Sequence, residues 1–242
     1  MARHPVLYKK DFGDSMEQFV SIMQELMQGF GYTLLLFVVT LVCALPLGLL
    51  IALGSMSSFK PLRYFSRGVV WVIRGTPLMM QILLASFIPM MLGLKTKEIA
   101  AFFNVTVSGV LFIFVGLAFV INYACYFSEI YRAGIQSIPE GQKEAGQVLG
   151  MTKKQIFFKV VLVQVIKRII PPMSNEIITL VKDTALAQIL GVVDLLSAAN
   201  HAVNHYVVLT PLLYAAIFYL IFNGALTLLF SALEKKFDWF KI

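Results

Sequence analysis

Four stretches of the chain run for about twenty residues with apolar side chains on every face: residues 32–53, 71–94, 107–127 and 207–230. A helix rises about 1.5 Å per residue and needs roughly 20 apolar residues to cross about 30 Å of hydrocarbon, so each stretch predicts a membrane span. Charge interrupts only the second, at Arg74 near its start. A fifth stretch, 160–181, holds Lys167, Arg168, Pro171, Pro172 and Glu176 among apolar residues and is read as a span as well, because lipid tolerates backbone only when it is internally hydrogen-bonded. The run 184–193 is too short to cross and predicts a re-entrant or surface segment. Upstream of the first span, Phe19, Ile22, Met23, Leu26, Met27 and Phe30 recur at helical spacing. That pattern predicts an amphipathic helix, either on the outer membrane surface or packed against the protein's own helices.

Composition agrees with this pattern. Apolar residues make up 59% of 242 residues and charged residues 14%, against about 45–50% and about 25% in soluble domains. The net charge of +7 reflects basic loops between apolar spans rather than a nucleic-acid surface. Lys60, Arg63, Arg67 and Arg74, then Arg132, Lys143, Lys153, Lys154, Lys159, Lys167 and Arg168, then Lys235, Lys236 and Lys241 all fall on one side if the N-terminus is outside. The positive-inside rule makes that side cytoplasmic, with the C-terminus on it. Cys43 and Cys125 both sit inside apolar stretches and imply neither a disulfide nor a metal site. The first long apolar run is too deep and too long for a signal peptide, so the chain is expected to be anchored by its own first helix.

The segment 129–159 is too long for a simple connection, and loops of that length usually carry function. Ser137-Ile138-Pro139-Glu140 fits a capping box with Ser137 as N-cap, opening a helix of about 12 residues that runs through Leu149 and stops at Gly150. Thr152-Lys153-Lys154-Gln155 is a second capping box at the head of the fifth apolar stretch. A helix–glycine–helix element with Val148, Leu149 and Met151 at its tip suits insertion into a partner's groove; a surface helix folded back on the bilayer shares the same pattern.

Glu144-Ala145-Gly146, three residues and then Gly150 resemble the EAA loop of binding-protein-dependent ABC importer permeases, with Val160 and Leu162 at the following hydrophobic positions. Gly146 stands where that family has its second alanine, and Val163 where it has proline. Arg74-Gly75-Thr76-Pro77-Leu78, Asn122-Tyr123-Ala124, Ser128-Glu129-Ile130, Arg132-Ala133-Gly134-Ile135, Asn175-Glu176 and Lys182-Asp183-Thr184-Ala185-Leu186 resemble the polar amino-acid branch of the same family. Each motif is weak alone; their order and spacing together are specific.

The resemblance implies an all-α membrane protein of the type I ABC importer permease fold, with five transmembrane helices and a cytoplasmic coupling helix. It implies an extracytoplasmic segment over 1–28, a transmembrane domain over 29–231 and a cytoplasmic tail over 232–242. It also implies the partners: a second permease subunit, identical or paralogous, an ATP-binding cassette subunit that holds ATP and Mg, and an extracytoplasmic solute-binding protein. The expected place is a bacterial cytoplasmic membrane. Glu144, Ala145, Gly146 and Gly150 are the expected ATPase-coupling residues. No G-x-x-x-x-G-K-[ST] occurs, so the chain carries no phosphate-binding loop of its own, and no nucleophile, metal or catalytic constellation is visible.

Polar groups inside spans are costly and mark candidate pathway residues. These are Asn122 in the third span, Asn175 and Glu176 late in the span 160–181, the fourth in chain order, and Lys182 and Thr184 beyond them. Glu176 reads either as a partner for a substrate's ammonium or as a structural partner of Lys182 or of an arginine. Asn122 reads as a helix–helix hydrogen bond. Snorkelling to the interface accounts for Arg74, Lys167 and Arg168. His201 and His205, four residues apart, lack a third metal ligand and read as part of a solvated outer loop.

Overall fold

The computed structural model describes residues 12–237, with side chains from Met16 onward; the expectations for Met1, Lys241 and Ile242 fall outside the described residues. Ten α-helices follow in order: α1 (Phe12–Ser55), α2 (Lys60–Arg74), α3 (Leu78–Met91), α4 (Thr96–Phe102), α5 (Val107–Gln136), α6 (Glu140–Val148), α7 (Lys153–Ile156), α8 (Leu162–Asp183), α9 (Leu195–Tyr206) and α10 (Thr210–Phe237). A π turn, Phe157–Val161, joins α7 to α8, and a 3-10 turn, Thr184–Leu190, follows α8. No strand occurs among the described residues.

α5 is the central post. Phe119, Tyr123 and Phe127 lie fully inside, packed with Leu36, Phe37 and Ala44 of α1, Ile82 of α3, and Met173, Ile177, Leu180 and Val181 of α8. α10 does the opposite: Leu213, Leu220, Ile221 and Leu228 point outward. Outward leucines on an otherwise apolar helix need a hydrocarbon solvent, which the bilayer supplies.

The sequence and the structure part company at three places in the fold, and the structure chooses between two readings at another. α1 is one unbroken helix of 44 residues, so the amphipathic segment and the first span are continuous. Ile22 and Leu26 bury against Leu195, Ala198, Ala199 and Ala202 of α9, which is the packing alternative rather than a membrane-surface one. The second stretch is not one helix: α2 and α3 meet at 107° across Gly75-Thr76-Pro77. Pro77 has no N–H and pushes Thr76 out of the helical region, so the helix stops there. Residues 195–206, read as loop, form α9 behind a capping box of Asp194 and Ser197. The box satisfies the orphan amides of Leu196 and Ser197.

Among the described residues, three helices, α1, α5 and α10, are long and apolar enough to cross a membrane, and the bent pair α2–α3 makes a fourth if counted as one span. α8, with Lys167, Arg168, Glu176, Lys182 and Asp183 along its length, is not among them.

Candidate functional site

Two features stand out: the loop between α5 and α8, and a chain of polar cavities that leads from the bundle interior toward that loop.

In the loop, α6 begins at Glu140 with Pro139 extended before it (φ −60, ψ 140) and no side-chain cap. The expected Ser137 cap is not formed. Ser137 belongs to the preceding helix, where its hydroxyl donates to the Gly134 carbonyl at 2.7 Å. The proline fixes its own φ and sits outside the helix it introduces. α6 is therefore 9 residues long rather than about 12. Its C-terminus ends as expected: Gly150 adopts φ +71, its amide donates to the Gln147 carbonyl at 2.9 Å, and the Met151 amide donates to the Gly146 carbonyl at 3.0 Å. This pair of bonds is the Schellman arrangement, and only glycine takes the left-handed position without strain. The capping box of Thr152 and Gln155 is present.

Between them, Val148 (87% exposed) and Leu149 (78%) project from the turn. Glu144 and Ala145 are exposed, whereas Gly146 is buried. A Cβ on Gly146 would stand 2.8 Å from Cγ1 of Ile156. The departure from alanine at this position is thus matched by a bulky residue on the next helix. Ile156, Ile138, Val161 and Val165 form the small core that holds the loop to α8. Gln164 donates to Gln142 at 3.2 Å, and the Arg168 guanidinium donates to the Ser137 carbonyl.

The first cavity, about 470 Å³, is lined by Thr76, Asn122, Tyr126, Glu176, Thr179 and Asp183 among others. The broken α2–α3 pair forms one wall. At the break, Gln81 Nε2 donates to the Ile73 carbonyl at 2.7 Å and to the Thr76 carbonyl at 3.0 Å, and the Thr76 hydroxyl donates to the Val72 carbonyl at 3.0 Å. These side chains satisfy carbonyls that the missing helix turn would have used, which is what irregular backbone at membrane depth requires. Asn122 Nδ2 donates to Gln81 Oε1 at 3.0 Å, the helix–helix bond expected of it. From α8, Glu176, Thr179 and Asp183 lie at i, i+3 and i+7, on one face. Tyr123 donates to Asp183 Oδ2 at 2.7 Å.

Of the five pathway candidates, Asn122 and Glu176 line this cavity. Asn175 and Lys182 are exposed elsewhere, and Thr184 is fully buried with its hydroxyl donating to the Val181 carbonyl at 2.6 Å. Glu176 and Lys182 are six residues apart, about 120° around the helix, and do not face each other. Tyr123 was missed as a candidate, and Asp183 was noticed only beside Lys182 and Thr184. The i, i+7 spacing of the two acids was the available signal.

A second cavity, about 500 Å³, shares Glu176 and Tyr126 with the first and adds Arg74, Glu129, Ser137 and Arg168. A third, about 520 Å³, shares Arg74, Tyr126 and Glu129 with the second and adds Arg67, Trp71 and Arg132. The Arg74 guanidinium lies 4.9 Å over the Tyr126 ring and its Nη1 is 3.8 Å from Glu129, a cation–π contact that holds it against this cavity. His201 and His205 stack on α9, with His201 Nδ1 bonded to Glu25. No cluster of three metal ligands occurs among the described residues.

The family described as binding-protein-dependent transport system inner membrane component matches residues 44–239. The L-cystine transport system permease protein TcyB of Bacillus subtilis is 36% identical over 212 residues, covering 87% of this chain and 85% of that protein. The arginine transport system permease protein ArtQ of the same organism is 34% identical over 228 residues, covering 93% and 96%. The solved structure of an amino acid ABC transporter with histidines superposes with a TM-score of 0.78 at 31% identity, over 93% of this chain and 98% of that one. An inward-facing MetNI methionine ABC transporter, at 18% identity and TM-score 0.62, shares the fold.

Proposed function

The chain belongs to the family of binding-protein-dependent transport system inner membrane components, and from that premise we propose that it forms the amino-acid pathway of an ATP-driven importer, as one of two permease subunits. The observation that carries this reading is the cavity lined by Glu176 and Asp183 with no basic side chain among its lining residues. A pocket of two carboxylates suits the ammonium group that every amino acid carries, since charge-assisted hydrogen bonds are the strong ones. The relatives named for cystine and arginine transport support amino acids as the class.

The work is divided between chains. This one has no nucleotide-binding loop, so ATP and Mg belong to a separate cassette subunit in the cytoplasm. That subunit is engaged by the α6 loop. Val148 and Leu149 enter its groove, Glu144 and Ala145 face it, and Gly146 and Gly150 shape the turn. A solute-binding protein delivers the amino acid from outside. The distribution of basic residues supports a 129–159 loop on the cytoplasmic side of a bacterial membrane and an N-terminus outside. The segment 1–28 is then extracytoplasmic, 29–231 the transmembrane domain with α8 as its fourth span and α10 as its fifth, and 232–242 the cytoplasmic tail.

Affinity purification of the chain from its native membrane tests the division of labour. An ATP-binding subunit should elute with it and should be lost from a Leu149→Asp variant that remains in the membrane. Nucleotide-independent substrate accumulation by the chain alone would overturn the proposal in favour of a self-contained transporter.

A further inference from the structure

The three cavities change sign along their length. The first is lined by two carboxylates, Glu176 and Asp183, and no base. The second balances Glu129 and Glu176 against Arg74 and Arg168. The third sets Arg67, Arg74 and Arg132 against Glu129 alone. Glu129 is already engaged: Arg132 Nε and Nη2 reach its two oxygens at 3.0 and 2.6 Å. Arg67 Nε donates to the Ser55 carbonyl at 3.1 Å, and among the described residues its terminal nitrogens make no hydrogen bond, which leaves them to the cavity. The outermost compartment therefore carries a net positive charge in a partly enclosed space, while the innermost carries a negative one.

We propose that the Arg67–Arg74–Arg132 cavity is a second station of the pathway, which receives the carboxylate end of the amino acid as its ammonium end leaves the Glu176–Asp183 cavity. The inference rests on the reading of the chain as an amino-acid permease and adds an exit site to it. A zwitterion has one group for each end of the vestibule. Shared lining residues join the compartments, so the molecule passes from one to the next along the same side chains. A guanidinium fork matches a carboxylate in shape as well as charge, and arginine stays charged at any working pH. Arg74 lines both the second and third cavities, and its seat on Tyr126 places it to hand the carboxylate onward to Arg67.

The test uses the whole transporter in proteoliposomes, with Cys43→Ser to remove the exposed thiol and the buried Cys125 left in place. Trp71 lines the third cavity and is 77% exposed; Trp71→Cys is the reporter. Uptake of the proteinogenic L-amino acids and L-cystine is scored first, and the one that accumulates, together with its α-carboxamide, supplies the probes. An anionic sulfonatoethyl methanethiosulfonate should label the cysteine faster than the cationic trimethylammonium reagent. Arg67→Gln should lower that preference roughly fivefold, and Arg67→Lys should restore it. The amino acid should slow labelling of the nucleotide-free transporter, and the α-carboxamide should not.

Equal protection by acid and amide, or no preference for the anionic reagent, would overturn the exit station while leaving measured uptake, and hence the permease reading, intact. Protection by phosphatidylglycerol in place of the amino acid would reassign the cavity to a lipid headgroup and overturn it too. If no amino acid accumulates, the permease reading fails and the station fails with it.

Discussion

Gly146→Ala is the substitution whose outcome follows most directly from the geometry of the loop. The new methyl would sit 2.8 Å from Ile156 Cγ1 and 3.2 Å from its Cδ1, where ordinary contact begins at 3.4 Å. Overpacking of this kind costs about 1–3 kcal/mol. Alanine is also the better helix former by about 1 kcal/mol, so the net cost is about 1 kcal/mol, or roughly a fivefold rise in local opening. Amide hydrogen exchange across residues 140–156, read on the assembled transporter, measures that opening directly. Ile156→Ala alone should open the loop further, because it empties the small core with Ile138, Val161 and Val165. Combined with Gly146→Ala it should recover part of the loss, since the methyl then fills the vacated space. A non-additivity of about 1 kcal/mol is expected for residues in contact. Wild-type exchange in Gly146→Ala, or strict additivity in the double variant, would refute the view that Ile156 explains the glycine.

Glu144→Lys reverses a charge on the exposed face of α6 and should uncouple ATP hydrolysis from uptake without preventing insertion, as measured by ATPase stimulation and membrane abundance. Gly150→Val forces a β-branched residue to φ +71 and should act in the same direction through loss of the Schellman turn; normal uptake in both would remove the loop as the coupling element. Glu176→Gln keeps the shape of the first cavity and removes a charge, so substrate binding in the membrane subunit should weaken roughly tenfold to hundredfold, from the 1.5–3 kcal/mol typical of a hydrogen bond to a charged group. Melting should barely move, and a large melting loss with unchanged binding would make Glu176 scaffold. A cysteine at Gln142 should react with an impermeant reagent only in inside-out vesicles, and labelling of intact cells would reverse the topology.

Much of this architecture was legible in the residues, and the exceptions have physical causes. The helix–glycine–helix of the loop could be read because Gly150 and the Thr152–Gln155 box are local signals. Ser137 misled for the same reason: its hydroxyl can serve either helix it adjoins, and the end of α5 claimed it. The bend between α2 and α3 was hidden because apolar content continues through it; only Gly75-Thr76-Pro77 marks it, and a proline in an apolar helix can equally leave it whole, as Pro46 does in α1. α9 was masked by its asparagines and histidines, although Asp194 and Ser197 signal its start. In the cavity, Glu176 stood out as a lone acid in an apolar run. Tyr123 could not, because its role depends on Asp183 of another helix.

A chain that lines an ATP-driven amino-acid pathway must support uptake when the complex is reconstituted. Proteoliposomes containing the chain with its co-purified ATP-binding subunit, loaded internally with ATP and Mg and supplied outside with the cognate solute-binding protein, should accumulate one or a few labelled L-amino acids against a gradient. Accumulation should stop when a non-hydrolysable nucleotide replaces ATP and when Glu144→Lys replaces the native chain. Accumulation that persists without hydrolysis, or ATP-driven accumulation of solutes lacking the ammonium and carboxylate pair while amino acids are excluded, would show that the chain is not such a pathway.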